Sequence, residues 1–550
     1  MGFTVITSKS EPHSGHETTA PSSTSSSSMS RSVSHSGQYT IAFLQVRVPL
    51  LYLVSSRGKG QVAYVENSEL LEFAERSGPI QDFPQKSSRS RVPRTARLAL
   101  VALASASLLS LAQSVSAPGS PDAHNADPRI AEVIKQVSAD RIKQTIDKLV
   151  SFGNRSTTSP QDDQSIKAGK GVGAARDWIK SEFERYSKNC GGCLEVKTDA
   201  FTEQPGDRIK SPTEITNVYA VLRGSDPAQA NRIVLVTGHY DSRNSDTFNG
   251  TDPAPGANDD GSGTAVSLEC ARVLSKYKFP ATIIFLTVAG EEQGLNGSRH
   301  FAQMAKQQGW KLEAVLNNDI VGGDRNPRQD PTVVRVFSEG IPAAATEAEI
   351  RRVRMLGGES DSPSRELARY VAEVGRTYQT GVNPLLIFRL DRFLRGGDHY
   401  SFNQQRFAAV RFTEFSEDFN HQHQNVRTEN GVEYGDLPKF VDFDYVAHVA
   451  RLNAATLASL ASAPAPPANV KILTKQLEKD TTLTWDPSTG ATAYEVIWRS
   501  TSAPDWQYVQ TVGSGTRATL QVSKDNEIFA VRALDSAGHR SLPVVPEPER

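Results

Sequence analysis

Apolar runs that do not alternate are the feature that most restricts how this chain can fold. "RIVLVTG" (232–238), "ATIIFLTVAG" (281–290), "LEAVLNN" (312–318) and "FAAVRF" (407–412) are rich in β-branched residues and read as strands. "TNVYAVLRG" (216–224) and "TVVRVFSE" (332–339) read the same way. Successive side chains leave opposite faces of a strand, so a strand with one wet face alternates apolar with polar residues. These strands are apolar on both faces and must be covered on both sides. Helical patterns such as "DGSGTAVSLECARVLSKY" (260–277) and "RELARYVAEVGRTY" (365–378) lie between them. The repetition predicts an α/β fold: a mostly parallel mixed sheet sandwiched by helices.

The same runs stop abruptly at polar groups. One ends in "HYD", giving His239 and Asp241, and "GANDDGSG" then opens a helix with Asn258, Asp259 and Asp260. Another ends in the adjacent pair Glu291 and Glu292, and a third ends at Asp319. "VRFTE" leads on to "DFNHQHQN", which carries His421 and His423. Each mark alone has an ordinary explanation: a helix cap, a hydrogen-bonded histidine, a solvated turn. Their appearance at successive strand ends, where open α/β sheets bind ligands, does not. Imidazoles and carboxylates without a thiolate suit zinc, and a bridging carboxylate suits a pair of metals. Cations would also offset the cost of burying so many charges together.

Those motifs carry a resemblance. "GHYDS", "GANDDGSGTA", "AGEEQGLNGSRHF", "LNNDIVG" and "HQHQN", in order over roughly residues 140–460, resemble the M28 family of zinc aminopeptidases, of the secreted bacterial type. The resemblance implies that His239 is a zinc ligand oriented by Asp241, and that Asp259 bridges two zinc ions. It implies that Glu291 is the general base for a water held between the metals, that Glu292 ligates one zinc, and that Asp319 ligates the other. The last ligand in that family is a histidine followed four residues later by an acidic residue. His421 has Asn425 at that offset and His423 has Arg427. The comparison favours His421, with His423 as the other candidate. "RGGDHYSF" (395–402) also resembles a family segment, and a structural role in the loop accounts for Asp398 and His399. The implied activity is hydrolysis of the N-terminal peptide bond of peptides. A zinc carboxypeptidase of the same fold is the runner-up, with Arg389, Arg392 and Arg395 as the carboxylate pocket it would need. A glutaminyl cyclase fits less well, because relatives of that type work with one zinc. A catalytically inactive adhesion or binding protein is the alternative outside enzymology, and an intact Glu291 argues against it.

The rest of the chain bounds the setting. A net charge of −1 over 550 residues points to no nucleic acid partner. Residues 1–88 are Ser-rich in part and read as disordered and outside the mature protein. The apolar stretch at 39–56 contains Arg47 and Pro49, which argue against a membrane span. Residues 89–117 combine a basic flank (Arg89, Arg91, Arg94, Arg97), an apolar middle at 98–112 and a small-residue exit, the pattern of a secretory signal peptide. This predicts a functional start near Val92, a secreted or periplasmic location and no integral membrane segment in the mature chain. Export fits "NCGGC", in which Cys190 and Cys193 are expected to form a disulfide. Half a zinc site is the rival reading, but no second cysteine pair completes it. "NRS", "NGT" and "NGS" match the glycosylation pattern at Asn154, Asn249 and Asn296. The peptidase domain is placed at 118–463 and a Pro-rich linker at 464–468. Residues 469–550 form short alternating strands that predict a small β-sandwich. That segment resembles a fibronectin type III domain, with Trp485, Tyr494, Trp498 and Phe529 as its core.

Overall fold

The computed structural model describes residues 119–120 and 126–549. The Ser-rich segment and the expected signal peptide lie outside the described residues. The main sheet has strands β1 (Leu194–Glu203), β2 (Thr213–Leu222), β3 (Arg232–His239), β4 (Thr282–Val288), β5 (Lys311–Asn318), β6 (Val333–Ser338), β7 (Asn383–Ile387) and β8 (Ala409–Glu414). They lie in the order β1-β2-β4-β3-β5-β8-β6-β7. The centre is parallel, with β4, β3, β5 and β8 running together. β1, β2 and the β6–β8 pair add antiparallel contacts, so the sheet is mixed.

The double-sided apolar pattern now has its reason. On β3, Val234 and Val236 join one core, which includes the helices Gly261–Leu274 and Phe443–Ser462, while Leu235 joins the other. On β4, Ile283 and Phe285 face the first core and Ile284, Leu286 and Val288 the second. The second core is closed by Phe301, Ala302 and Ala305 of the helix Asn296–Gln307, and by Phe402. At about 25 cal/mol per Å² of apolar surface removed from water, this two-sided burial is the main force holding the sheet. Among the described residues no helix is long and apolar enough to cross a membrane. Cys190 and Cys193 are joined as a disulfide just after the helix Gly171–Asn189, and Cys270 is buried. Two of the three glycosylation matches are poor acceptors. Asn154 is buried with its amide donating to the carbonyls of Asn249 and Asp252, and Asn296 is buried as well.

After a small hairpin, β9 (Arg427–Glu429) with β10 (Val432–Tyr434), the chain enters its C-terminal strands. β11 (Ala468–Leu473), β12 (Thr481–Asp486), β13 (Ala493–Ser500), β14 (Tyr508–Thr511), β15 (Arg517–Leu520), β16 (Glu527–Leu534) and β17 (Glu547–Glu549) make two sheets, β15-β12-β11-β17 and β14-β13-β16. Trp485, Tyr494, Trp498 and Phe529 are buried in one cluster between them. This sandwich is not loosely tethered. Arg532, fully buried, pairs with Glu495 at 2.7 Å and with Glu373 of the helix Pro363–Tyr378 at 2.7 Å. Arg540 contacts the same two carboxylates at 3.0 and 2.9 Å. Trp506 donates its indole N–H to Glu366 at 3.0 Å. A buried ion pair that loses one partner leaves an uncompensated charge in a poor solvent for it. Arg532→Ala is therefore expected to destabilise the whole chain, not the sandwich alone, by about 3–5 kcal/mol. A thermal melt that shows one lowered transition checks this.

Candidate metal centre

The carboxyl ends of β3, β4 and β5 and the loop after β8 meet in a cleft of about 510 Å³ lined by Asp259, Glu291, Glu292, Asp319 and His423. Parallel strands place these groups together because each strand's last residue emerges on the same edge of the sheet. β3 delivers His239 as its final residue, β5 is followed at once by Asp319, and β4 is followed by the turn that bears Glu291 and Glu292.

Hydrogen bonds fix the backbone that carries these side chains. Asp260 caps the helix Gly261–Leu274 through Gly263 N–H at 2.8 Å. The same carboxylate accepts from the backbone N–H of His239 at 2.9 Å and of Ile320 at 3.3 Å, so it fastens two strand ends to one helix start. A Cβ at Gly263 would lie 2.1 Å from the carbonyl oxygen of Asn318, which is why the motif needs glycine there. Asp241 accepts from the backbone N–H of Glu291 at 3.4 Å and of Glu292 at 3.2 Å, and its carboxylate lies 3.5 Å from His239 Nδ1. It holds the Glu-Glu turn as well as facing the imidazole. Asp436, far along the chain, accepts from the backbone N–H groups of Asn258 and Asp259 at 2.8 and 2.7 Å.

Two groups of ligand-type atoms result. His239, Glu291 and Asp319 form one, Asp259, Glu292 and His423 the other, and within each the donor atoms lie within 4.8 Å of one another. Asp259 stands between the two imidazoles. Its Oδ1 is 3.2 Å from His239 Nε2 and its Oδ2 is 2.8 Å from His423 Nε2. His423 also reaches Glu292 at 3.1 Å, and His239 lies 3.8 Å from Asp319. His239 Nε2 is buried and makes no hydrogen bond despite these near oxygens. A buried nitrogen facing carboxylates with the wrong angles for hydrogen bonding fits a metal ligand, and the mixed nitrogen and oxygen set suits zinc.

The electrostatics follow from crowding. Burial, with Asp319 and Glu292 adding to it, pushes the Glu291 acid well above the usual carboxylate range, while His239 works the other way. Burial opposes charge on His423, but Glu292 and Asp259 prevail and push it up to about 10. His239 is raised well above its ordinary value in the same manner, against its burial, by Asp260, Asp241, Asp259 and Asp319. Asp319 stays low despite burial because the guanidinium of Arg411 sits 2.9 Å away.

The imidazole that meets the carboxylates is His423, which corrects the preference for His421. The four-residue offset fails because Asn425 has other work: its side-chain oxygen accepts from Ser245 Oγ at 3.0 Å and from Ser245 N–H at 3.3 Å. His421 lies against Asp324 at 2.5 Å and stacks on Phe440, outside the cleft. His423 takes a left-handed φ of 55°. Of the arginines singled out for a carboxylate pocket, Arg392 and Arg395 line the cleft. Arg389 does not, and lies over the ring of Phe393. Asp398 is fully buried, and burial pushes its acid up to about 7.

Sequence reasoning missed the supporting residues. Arg155, fully buried, donates to the carbonyls of Tyr240 at 2.8 Å and Gly256 at 2.8 Å, fastening the loops that carry Asp241 and Asp259. Asp436 was also invisible as an isolated charge. The one available signal was Arg411 itself, a cation inside an apolar strand run.

Asp241→Asn should keep the fold, since an amide still fills the site. It should weaken zinc binding about 10–100-fold by disturbing the Glu-Glu turn and removing the charge that faces His239 Nδ1, whose hydrogen bond to the main-chain carbonyl of Asp241 at 3.1 Å remains. Zinc titration of the stripped protein reads this directly. In the same titration His423→Gln should weaken binding at the Asp259–Glu292 group more than His421→Gln does.

The model of "Peptidase family M28" matches residues 217–441. A "Probable zinc metalloprotease" of Pyrenophora teres f. teres (strain 0-1) is 47% identical, over 77% of this chain and 87% of its own length. One of Pyricularia oryzae (strain 70-15 / ATCC MYA-4617 / FGSC 8958) is 44% identical over 77% of this chain and 85% of its own. These relatives are fungal, whereas the motifs had suggested a bacterial type. Among solved structures, the aminopeptidase LapA of Legionella pneumophila is 23% identical with a TM-score of 0.44, covering 64% of this chain and 78% of that one. A zinc aminopeptidase of Bacillus subtilis is 16% identical with a TM-score of 0.40, covering 58% and 94%.

Proposed function

The chain belongs to peptidase family M28 and is a zinc metallopeptidase by kinship. On that premise we propose that it is an exported exopeptidase that uses two zinc ions to remove the N-terminal residue of peptides. The observation that carries the reading is Asp259, with one oxygen toward His239 and the other toward His423. His239 and Asp319 would hold one zinc, Glu292 and His423 the other, and Asp259 both.

Zinc, when bound, supplies a Lewis acid that polarises the scissile carbonyl and makes water acidic near neutral pH. The chain's own residues do the rest. Glu291 belongs to the same cluster as His239 and Asp319 yet reaches the cleft, with its backbone fixed by Asp241. Its place in that cluster, facing the cleft, suits a group that takes a proton from the attacking water and passes it to the leaving amine. Export is supported by the signal-type sequence at 89–117 and by the Cys190–Cys193 disulfide. The C-terminal sandwich, which resembles fibronectin type III, braces the helix Pro363–Tyr378 in this reading.

One observation favours a carboxypeptidase as the second reading. Arg208, Arg243, Arg392 and Arg395 line the mouth of the cleft. Glu417 contacts Arg392 at 2.8 Å and Arg395 at 3.0 Å and offsets much of their charge. Arg208 is engaged with the carbonyl of Glu292. The aminopeptidase reading is therefore preferred. Acetylating the N-terminus of a short peptide should abolish its hydrolysis, while amidating its C-terminus should not. The reverse pattern would establish the carboxypeptidase. Glu291→Gln should retain zinc at the level of the unaltered chain and lose about 10²–10⁴-fold in kcat, measured on an amino-acid p-nitroanilide.

A further inference from the structure

Behind Asp259 lies a second, smaller cavity that the peptidase reading does not use. It is about 10 Å³, the size that holds one water or one ion, and no Lys or Arg lines it. Asp324, Asp418 and His421 face one another there with donor atoms within 4.8 Å. Glu414, fully buried at the end of β8, lines the same cavity. Its Oε2 accepts from the Asp324 backbone N–H at 2.8 Å and from the Asn258 amide at 3.0 Å, while its Oε1 has no partner. Gln422 lines the cavity too. Its amide nitrogen donates to Asp259 at 3.2 Å, and its buried carbonyl oxygen has no partner.

Both orphaned atoms are acceptors, and acceptors surround them. A buried acceptor without a donor is costly, and several beside clustered carboxylates are more so. A water in the cavity would donate to only two of these acceptors, whereas a cation is attracted by all of them and by the carboxylates beside them. We propose that this cavity is a further divalent-cation site, with Asp324, Asp418 and His421 as ligands and Glu414 Oε1 turned to the same ion. The imidazole selects a cation of the zinc or manganese kind over calcium, which prefers oxygen alone. Metal–ligand bonds of about 2.0–2.2 Å would part the His421–Asp324 pair slightly.

The site has a structural consequence. Residues 418–423 form one short loop that supplies Asp418 and His421 to this cavity, Gln422 to Asp259, and His423 to the cleft. An ion at Asp324 would pin the loop from behind and hold His423 in place. This explains two histidines spaced by a single residue: they serve neighbouring cations on opposite sides of the loop.

Metal content per chain, measured by mass spectrometry after equilibration with zinc and calcium and removal of the excess, tests this. Asp324→Asn should carry one zinc equivalent fewer than the unaltered chain. The double variant Asp259→Asn/Glu292→Gln, which removes carboxylates from the other centre, should still retain zinc, and adding Asp324→Asn to it should lower the count by one further equivalent. A zinc count unchanged by Asp324→Asn overturns the site, as does a double variant with no zinc at all. Loss of calcium instead of zinc overturns the choice of cation. A failure of the two-zinc reading would look different: the double variant would then hold as much zinc as the unaltered chain.

Discussion

Asp259, Glu291, Glu292 and Asp319 are drawn into one cleft, and their mutual repulsion is the constraint around which the rest is arranged. Two unit charges about 4 Å apart interact by about 4 kcal/mol at an effective dielectric constant of 20. No set of like charges holds that geometry unaided. The chain supplies part of the compensation itself, through His239, His423 and Arg411. Backbone N–H groups directed at Asp241, Asp260 and Asp436 supply rigidity, so the carboxylates cannot simply swing apart. Zinc, which the family implies, would complete the balance. The hydrogen bonds that hold the carboxylates together are the same ones that preorganise the site, and preorganised charge is what lowers a barrier.

The sheet makes this possible by separating two tasks. Its interior is apolar on both faces, and this burial stabilises the chain. Its carboxyl edge gathers charged groups at a cost that the burial covers. The helix Gly261–Leu274 connects the tasks: it is buried almost throughout, and its capping residue Asp260 anchors β3 and the segment after β5. The C-terminal sandwich contributes through charge as well as apolar contact. Arg532 and Arg540 clasp Glu373 on a helix of the peptidase part, so the Pro-rich segment at 464–468 is a packed joint between the two.

The residues legible beforehand were those whose local context broke a pattern. Glu291 and Glu292 stand out because they end an apolar strand, and Asp259 because it opens a helix after glycine-rich sequence. The choice between His421 and His423 was not legible. Both lie on one loop, and a loop's side-chain directions depend on its backbone turn, here a left-handed φ at His423. Asp436 and Arg155 were hidden for a related reason. They act on backbone groups about a hundred or more residues away, and such partners leave no periodic trace in sequence.

By itself the sequence determined the class of sheet, its burial on both faces and the chemistry gathered at its edge, because those follow from side-chain polarity read along a strand. Only the tertiary structure decided which histidine faces Asp259, which charges hold the cleft together and that the sandwich is clamped to the peptidase part. Each of those depends on distances across the fold, set by how the elements pack and not by their order in the chain.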